Sequence, residues 1–143
     1  MKPYEIIGHT ADIGLRVNGS TLKELFENAA KGMFEIIKGE RIHKNIALQV
    51  HKKIGIKKEV ETFEELLVDW LSELLYVFNK QEILFRDFKI QELNNSGING
   101  EASGEKIDPS KNTLQREIKA CTFHGLKIEE DKTGFSCNII FDV

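Results

Sequence analysis

Two aspartates at opposite ends of the chain carry the chemistry worth asking about. Asp12 lies in the segment His9-Thr10-Ala11-Asp12-Ile13-Gly14-Leu15-Arg16-Val17, and Asp142 directly precedes the final Val143. A side-chain carboxylate beside a free C-terminal carboxylate puts two anionic groups on adjacent residues. If folding brings Asp12 to them, the product is an oxygen-only pocket of the kind a hard divalent cation prefers. The plain alternative is that Asp12 and Asp142 are solvated strand-end carboxylates, or partners of Lys119 and Arg16.

Other chemistries find little support. His9, His43, His51 and His124 lack the close His/Cys spacing of a zinc site. The glycines from Gly97 to Gly104 are turn-like and open no helix, so they do not form a phosphate loop. Ser72 and Ser103 have no nucleophile-elbow context. Cys121 and His124, three apart in a strand-like segment, would point to opposite faces and make no nucleophile–base pair. His9 reads as a hydrogen-bonded strand-end histidine, and His124, at an apolar parity, as a packed one. The chain alone is therefore not expected to be an enzyme.

A net charge of −3 argues against a protein whose main task is gripping a nucleic acid backbone. The 143 residues suit one domain, residues 1–143, with a real core. Cys121 and Cys137 fit a reducing compartment better than a disulfide scaffold. No apolar run approaches membrane-helix length, and Lys2-Pro3 leads straight into strand-like sequence without a signal peptide. A cytoplasmic protein with no membrane association is expected.

The elements that must position the aspartates are two helices and several strands. Thr21 with Glu24 forms a capping-box signature, followed by Leu22, Leu25, Phe26, Ala29, Ala30, Met33, Phe34 and Ile37 at helical spacing and Gly39 as a stop. Thr62 with Glu65 repeats it before Leu66, Leu67, Trp70, Leu71, Leu74, Leu75 and Phe78, a helix apolar around much of its girth. These stripes predict core rather than a cofactor box. Ile46 to Ile56 alternates as a strand, whose lysines Lys52, Lys53, Lys57 and Lys58 suit a solvated edge. Ile83 to Leu93 predicts a longer strand, Asn94 to Gly97 a turn, and Asn99-Gly100 a bulge or turn. Asp108 to Asn112 predicts a loop, and the last thirty residues two strands around Asp131 to Gly134. The fold class is α+β, with two helices packed on one face of a largely antiparallel or mixed β-sheet.

Strand parity predicts which side chains share a face. Ala11, Ile13, Leu15 and Val17 point to the core, so Asp12 and Arg16 face away. The closing strand buries Phe135, Cys137, Ile139, Phe141 and Val143 and turns Asp142 outward. If residues 118 to 128 form one strand and the hairpin centres between Lys132 and Thr133, Lys119 shares the outer face with Asp142. The same register sets Cys121 and Cys137 on opposite sides, which makes them a poor disulfide.

The segments His9 to Leu15, Leu25 to Ala30, Leu66 to Leu75, Glu117 to His124 and Phe141 to Val143 together resemble the archease family over nearly the whole length. Asn112 departs from the pattern, where a histidine is expected, and Cys121 stands where a branched aliphatic is usual. The resemblance implies a non-catalytic activator of the tRNA-splicing RNA ligase, which joins a 2′,3′-cyclic or 3′-phosphate RNA end to a 5′-hydroxyl. Archeases promote guanylylation of that ligase by GTP, allow multiple turnover and broaden its nucleotide use. It also implies a divalent metal, calcium first with magnesium or manganese as alternatives, held by Asp12, Asp142 and Val143 through its terminal carboxylate. Lys119 matches a lysine tied to activation. RNA is then met only through the ligase. Two other classes compete: a chaperone-like modulator of nucleic-acid-modifying enzymes, and a small metal-dependent phosphohydrolase.

Overall fold

The computed structural model describes residues 2–8, 11–39, 49–107 and 117–143. His9, His43, the start of the Ile46 strand, the loop after Asp108 and Asn112 lie outside the described residues.

The chain order is β1 (Tyr4–Gly8), β2 (Asp12–Gly19), α1 (Leu22–Lys38), β3 (Gln49–Lys57), α2 (Phe63–Gln81), β4 (Ile83–Asn94), β5 (Gly97–Lys106), β6 (Ala120–Cys121), β7 (Glu129–Asp131) and β8 (Gly134–Asp142). Both helices begin where their caps are written. The Thr21 hydroxyl accepts from the Glu24 amide at 3.1 Å, and the Thr62 hydroxyl from the Glu65 amide at 3.3 Å. Glu24 reaches past Thr21 to accept from the amide and hydroxyl of Ser20, so that box closes one residue early. Gly39 stops α1 at φ 65°, its N–H donating to the Glu35 carbonyl. The second stop carries no glycine: Glu82 sits in the left-handed region at φ 57°. Tertiary contacts hold it there, because its carbonyl accepts from the Ile107 N–H at 2.8 Å and Ile83 is buried next to it.

The strands divide into two antiparallel sheets. One has the order β1-β2-β8-β6, with β7 also paired to β8; the other has the order β3-β5-β4. The helices lie against the inner faces of both, α1 touching β1, β2, β8 and β4, and α2 touching β6, β3, β4 and β5. The apolar helix stripes and the inward strand positions meet in one cluster that includes Leu15, Phe26, Trp70, Phe85 and Phe141. The Asn99-Gly100 irregularity appears on the strand opposite, where the register shifts between Ile90 and Glu92 and leaves Gln91 extra. Among the described residues no helix is long and apolar enough to cross a membrane.

Cys121 and Cys137 are free and buried, and they face the same side, since Cys121 pairs with Phe141 and Cys137 shares the inward parity of β8. The expectation that they point apart fails with the register behind it, as shown below. Burial pushes both thiols up to about 12. A folded pKa above the unfolded one leaves stability intact below about pH 9 and erodes it as pH rises toward about 12. Denaturant midpoints should therefore be insensitive to these thiols from pH 7 to 8.5 and fall above pH 9, with Cys121→Ala/Cys137→Ala flattening that decline. An unchanged alkaline decline in the double variant would place its origin elsewhere.

Candidate functional site

Asp12 opens β2 and Asp142 closes β8, and the two are direct cross-strand partners. Such partners hold their Cβ atoms about 4.5–5.5 Å apart. Ile13 and Phe141, their neighbours in sequence, are buried on the inner face, so both carboxylates project outward. Asp12 is half-buried and Asp142 exposed. No described residue forms an ion pair with either one. Arg16 is placed elsewhere, opposite Glu5 and Asn138, with Nη1 donating to Asn138 Oδ1 at 3.4 Å. Two like charges directly opposed on a sheet destabilise it by about 0.2–1 kcal/mol unless something positive lies between them.

Lys119 reaches this corner by a different route from simple alternation. The hairpin does centre between Lys132 and Thr133, with Asp131 opposite Gly134 and Glu129 opposite Ser136. The Thr133 amide and hydroxyl both donate to Asp131 and fix that turn, holding the Asp131 carboxyl below its usual range. Farther along, however, Ala120 pairs with Asp142. Nine steps separate Ala120 from Glu129, while six separate Asp142 from Ser136, so three extra residues leave the ladder between β6 and β7. They form a turn in which Leu126 donates to the Phe123 carbonyl and Gly125 adopts φ 62°. His124, expected to be packed, is exposed on that turn.

The three-residue offset reverses parity, which alone would send Lys119 inward. Ile118 and Cys121 are buried, whereas Lys119 and Ala120 between them are exposed and half-buried. Lys119 stands just before the two paired residues of β6, where ladder parity no longer governs its direction. The Lys119 N–H donates to the Asp142 carbonyl at 2.8 Å, so its backbone is fastened beside the aspartate. No described residue forms an ion pair with the Lys119 ammonium, so the simple Lys119–Asp142 pair is not formed. Val143 follows, half-buried. Among the described residues no three His, Cys, Asp or Glu side chains converge for a metal ion. Asp12 and Asp142 bring two hard oxygen groups to one corner, of the kind a hard cation prefers.

A model of the Archease protein family matches residues 4–143. The chain is 38% identical to protein archease of Methanosarcina barkeri over 146 residues, covering 99% of this chain and 97% of the relative. It is 40% identical to protein archease of Pyrococcus furiosus, covering 94% and 93%. The chain belongs to the archease family. The solution structure of Methanobacterium thermoautotrophicum protein 1598 agrees, with a TM-score of 0.74, 32% identity and full coverage of both chains.

Several polar residues in the archease-like motifs turn out to be clamps that hold the frame. Glu27 accepts from the Ile90 N–H at 2.8 Å, tying α1 to the edge strand β4. Asn28, buried, donates to the Asn18 carbonyl at 2.7 Å and ties α1 to β2. Asp69 and Glu65 each hold Lys58 at 3.1 Å, and the Asp69 contact, then Glu65, keep that ammonium above its usual range. Lys58 is thus fastened, unlike the solvated lysine the edge strand suggested. Glu64 accepts from the Ile128 N–H at 2.8 Å and pins the β6–β7 turn to α2. Glu64→Ala should cost about 1–3 kcal/mol, the price of an orphaned amide, and speed hydrogen exchange at Ile128; unchanged exchange there would discard the clamp.

Proposed function

We propose that this archease is a non-catalytic activator of a tRNA-splicing RNA ligase, promoting its guanylylation by GTP and its multiple turnover and widening its nucleotide use. Asp12, Asp142 and the terminal carboxylate of Val143 hold a divalent cation, calcium first, with magnesium or manganese as alternatives. Lys119 places an ammonium against phosphate. The protein works in the cytoplasm and meets RNA through the ligase.

The single observation that carries this proposal is the register match of Asp12 with Asp142, at the far ends of the sequence. It leaves two carboxylates opposed without a described cationic partner, an arrangement that a bound cation relieves. The donor set is all oxygen, which fits a hard cation. When bound, the cation supplies positive charge for a triphosphate or for the charge that develops during nucleotidyl transfer. Lys119 adds an exposed ammonium whose backbone is fastened beside Asp142. Both thiols are buried and protonated, which removes them as nucleophiles and supports a non-catalytic role.

The test is ligase guanylylation with GTP in the presence of folded Asp12→Ala, Asp142→Ala and Lys119→Ala variants. Each is expected to lower activation about tenfold or more, a loss of about 1.4 kcal/mol. Full activation by all three ends the proposal. Extending the chain beyond Val143 by a few residues probes the terminal carboxylate separately, and should weaken cation binding while leaving the fold intact.

A further inference from the structure

Alternation ordinarily leaves the outer face of a half-buried sheet polar. Here it does not. Ile7, Gly14 and Ile140 are in register across β1, β2 and β8, on the outward parity that they share with Asp12 and Asp142. A Cβ on Gly14 would lie 3.6 Å from both Ile7 Cβ and Ile140 Cδ1, so the two isoleucines approach each other over a residue with no side chain. The result is an apolar bar across three strands, one outward step from the carboxylate row. Both described helices pack on the opposite face, and among the described residues no helix covers this one.

The margins of the sheet repeat the pattern. Four large apolar side chains are exposed among the described residues: Ile6, Ile7, Tyr76 and Phe123. Two of them stand at the margins of this sheet, Ile7 on β1 and Phe123 in the turn that leaves β6, whereas Ile6 pairs with buried Leu15 and belongs to the other face. Ile7 is 44% exposed and Phe123 56%. An apolar bar one row from a pair of carboxylates marks an interaction surface rather than incidental exposure.

Charge decides the occupant. Asp12, Asp142 and Glu5 outnumber Arg16 and Lys119 on this side, so the face is net negative. A second copy would oppose like charges, and an RNA backbone would be repelled. We infer that the outer face of this sheet, from Ile7 across Gly14 and Ile140 to Phe123, docks a protein surface that presents apolar side chains around a positively charged recess. That surface belongs to the ligase, an assignment that rests on the proposed function. Docking there delivers Asp12 and Asp142 into the recess, because the apolar bar and the carboxylates lie on adjacent rows of one rigid sheet.

The experiment measures binding of the full chain to the purified ligase by biolayer interferometry, with Ile7→Arg, Phe123→Arg, the double variant and Tyr76→Arg as the control on α2. Ile7 and Phe123 are exposed, so arginine there adds positive charge against a positive partner without entering the core. The double variant is expected to bind about tenfold to a hundredfold more weakly, as loss of apolar anchors does. Its melting temperature and its melting response to added divalent cation should stay unchanged, and Tyr76→Arg should bind normally. Wild-type binding by the double variant overturns the inference, as does weakening by Tyr76→Arg alone. So does self-association that Ile7→Arg abolishes, which would give the face to a second copy, or RNA binding lost in the double variant. A wild-type chain that never binds the ligase, with GTP and cation present, instead defeats the proposed function.

Discussion

Adding calcium, magnesium or manganese to the protein is expected to raise its melting temperature, and Asp12→Asn to abolish that rise while stabilising the cation-free fold. The opposite signs follow from one geometry. Asp12 and Asp142 are cross-strand partners with no ion pair to any described residue. Neutralising one removes a like-charge opposition worth about 0.2–1 kcal/mol. A cation binding only the folded chain adds about 2.7 kcal/mol once its free concentration reaches a hundred times its Kd. For a domain of this size each kcal/mol moves the melting point by about 2–4 °C, so the rise should be about 5–10 °C and a chelator should reverse it. Asp142→Asn should behave like Asp12→Asn. Lys119→Ala should keep the cation response, because an ammonium is no ligand, yet lose activation of the ligase. A wild-type melting point indifferent to every divalent cation would remove the metal from the proposal, and an Asp12→Asn protein that still responds would move it away from this corner.

How far the sequence reached depends on which interactions set each feature. The helix starts are local: a threonine hydroxyl and an amide three residues on determine them, and both Thr21 and Thr62 cap as written. The outward placement of Asp12 and Asp142 was legible because alternation in β2 and β8 runs unbroken, Ile13, Leu15 and Val17 against Phe141, Ile139 and Cys137, whereas the pairing of the two strands entered only as a condition and through the archease resemblance. Lys119 shows where alternation stops informing. It is exposed as expected, but by another route: a three-residue offset reverses the ladder parity, and Lys119 itself lies just before the paired residues of β6. Nothing local announces the offset, since the turn is held by Glu64 from α2, far away in sequence. The same distance hides the left-handed Glu82, whose carbonyl is satisfied by Ile107. The division into two sheets was also beyond reach, because strand partners are chosen by packing against the helices rather than by composition. The apolar bar could have been found: Gly14 and Ile140 stand at outward parity where polar residues are the rule.

Trp70 carries the largest expected stability effect in the molecule. Its side chain is fully buried on α2, and its indole N–H donates to the Phe26 carbonyl at 3.2 Å, joining the two helices. On its far side the ring lies against β5, where a Cβ on Gly100 would approach the Trp70 ring at 3.0 Å. A ring wedged between α1 and the second sheet leaves a void that backbone cannot fill when it is removed. Trp70→Ala should therefore cost about 3–5 kcal/mol by urea denaturation. Trp70→Phe should cost less. It loses one hydrogen bond, about 0.5–1.5 kcal/mol, and part of the apolar area, while the Phe26 carbonyl keeps its place in α1. Urea titration of the two variants separates the terms, and a loss below about 1 kcal/mol for alanine would show that the site collapses freely. The functional consequence is indirect, because Glu64 on the same helix fastens the turn that leads to Lys119 and Asp142. Trp70→Phe that is fully folded at the assay temperature should activate the ligase normally, since the ring reaches no outward surface. Failure of that folded variant would mean that α2 transmits position to the carboxylate corner, and that the corner is less rigid than its register implies.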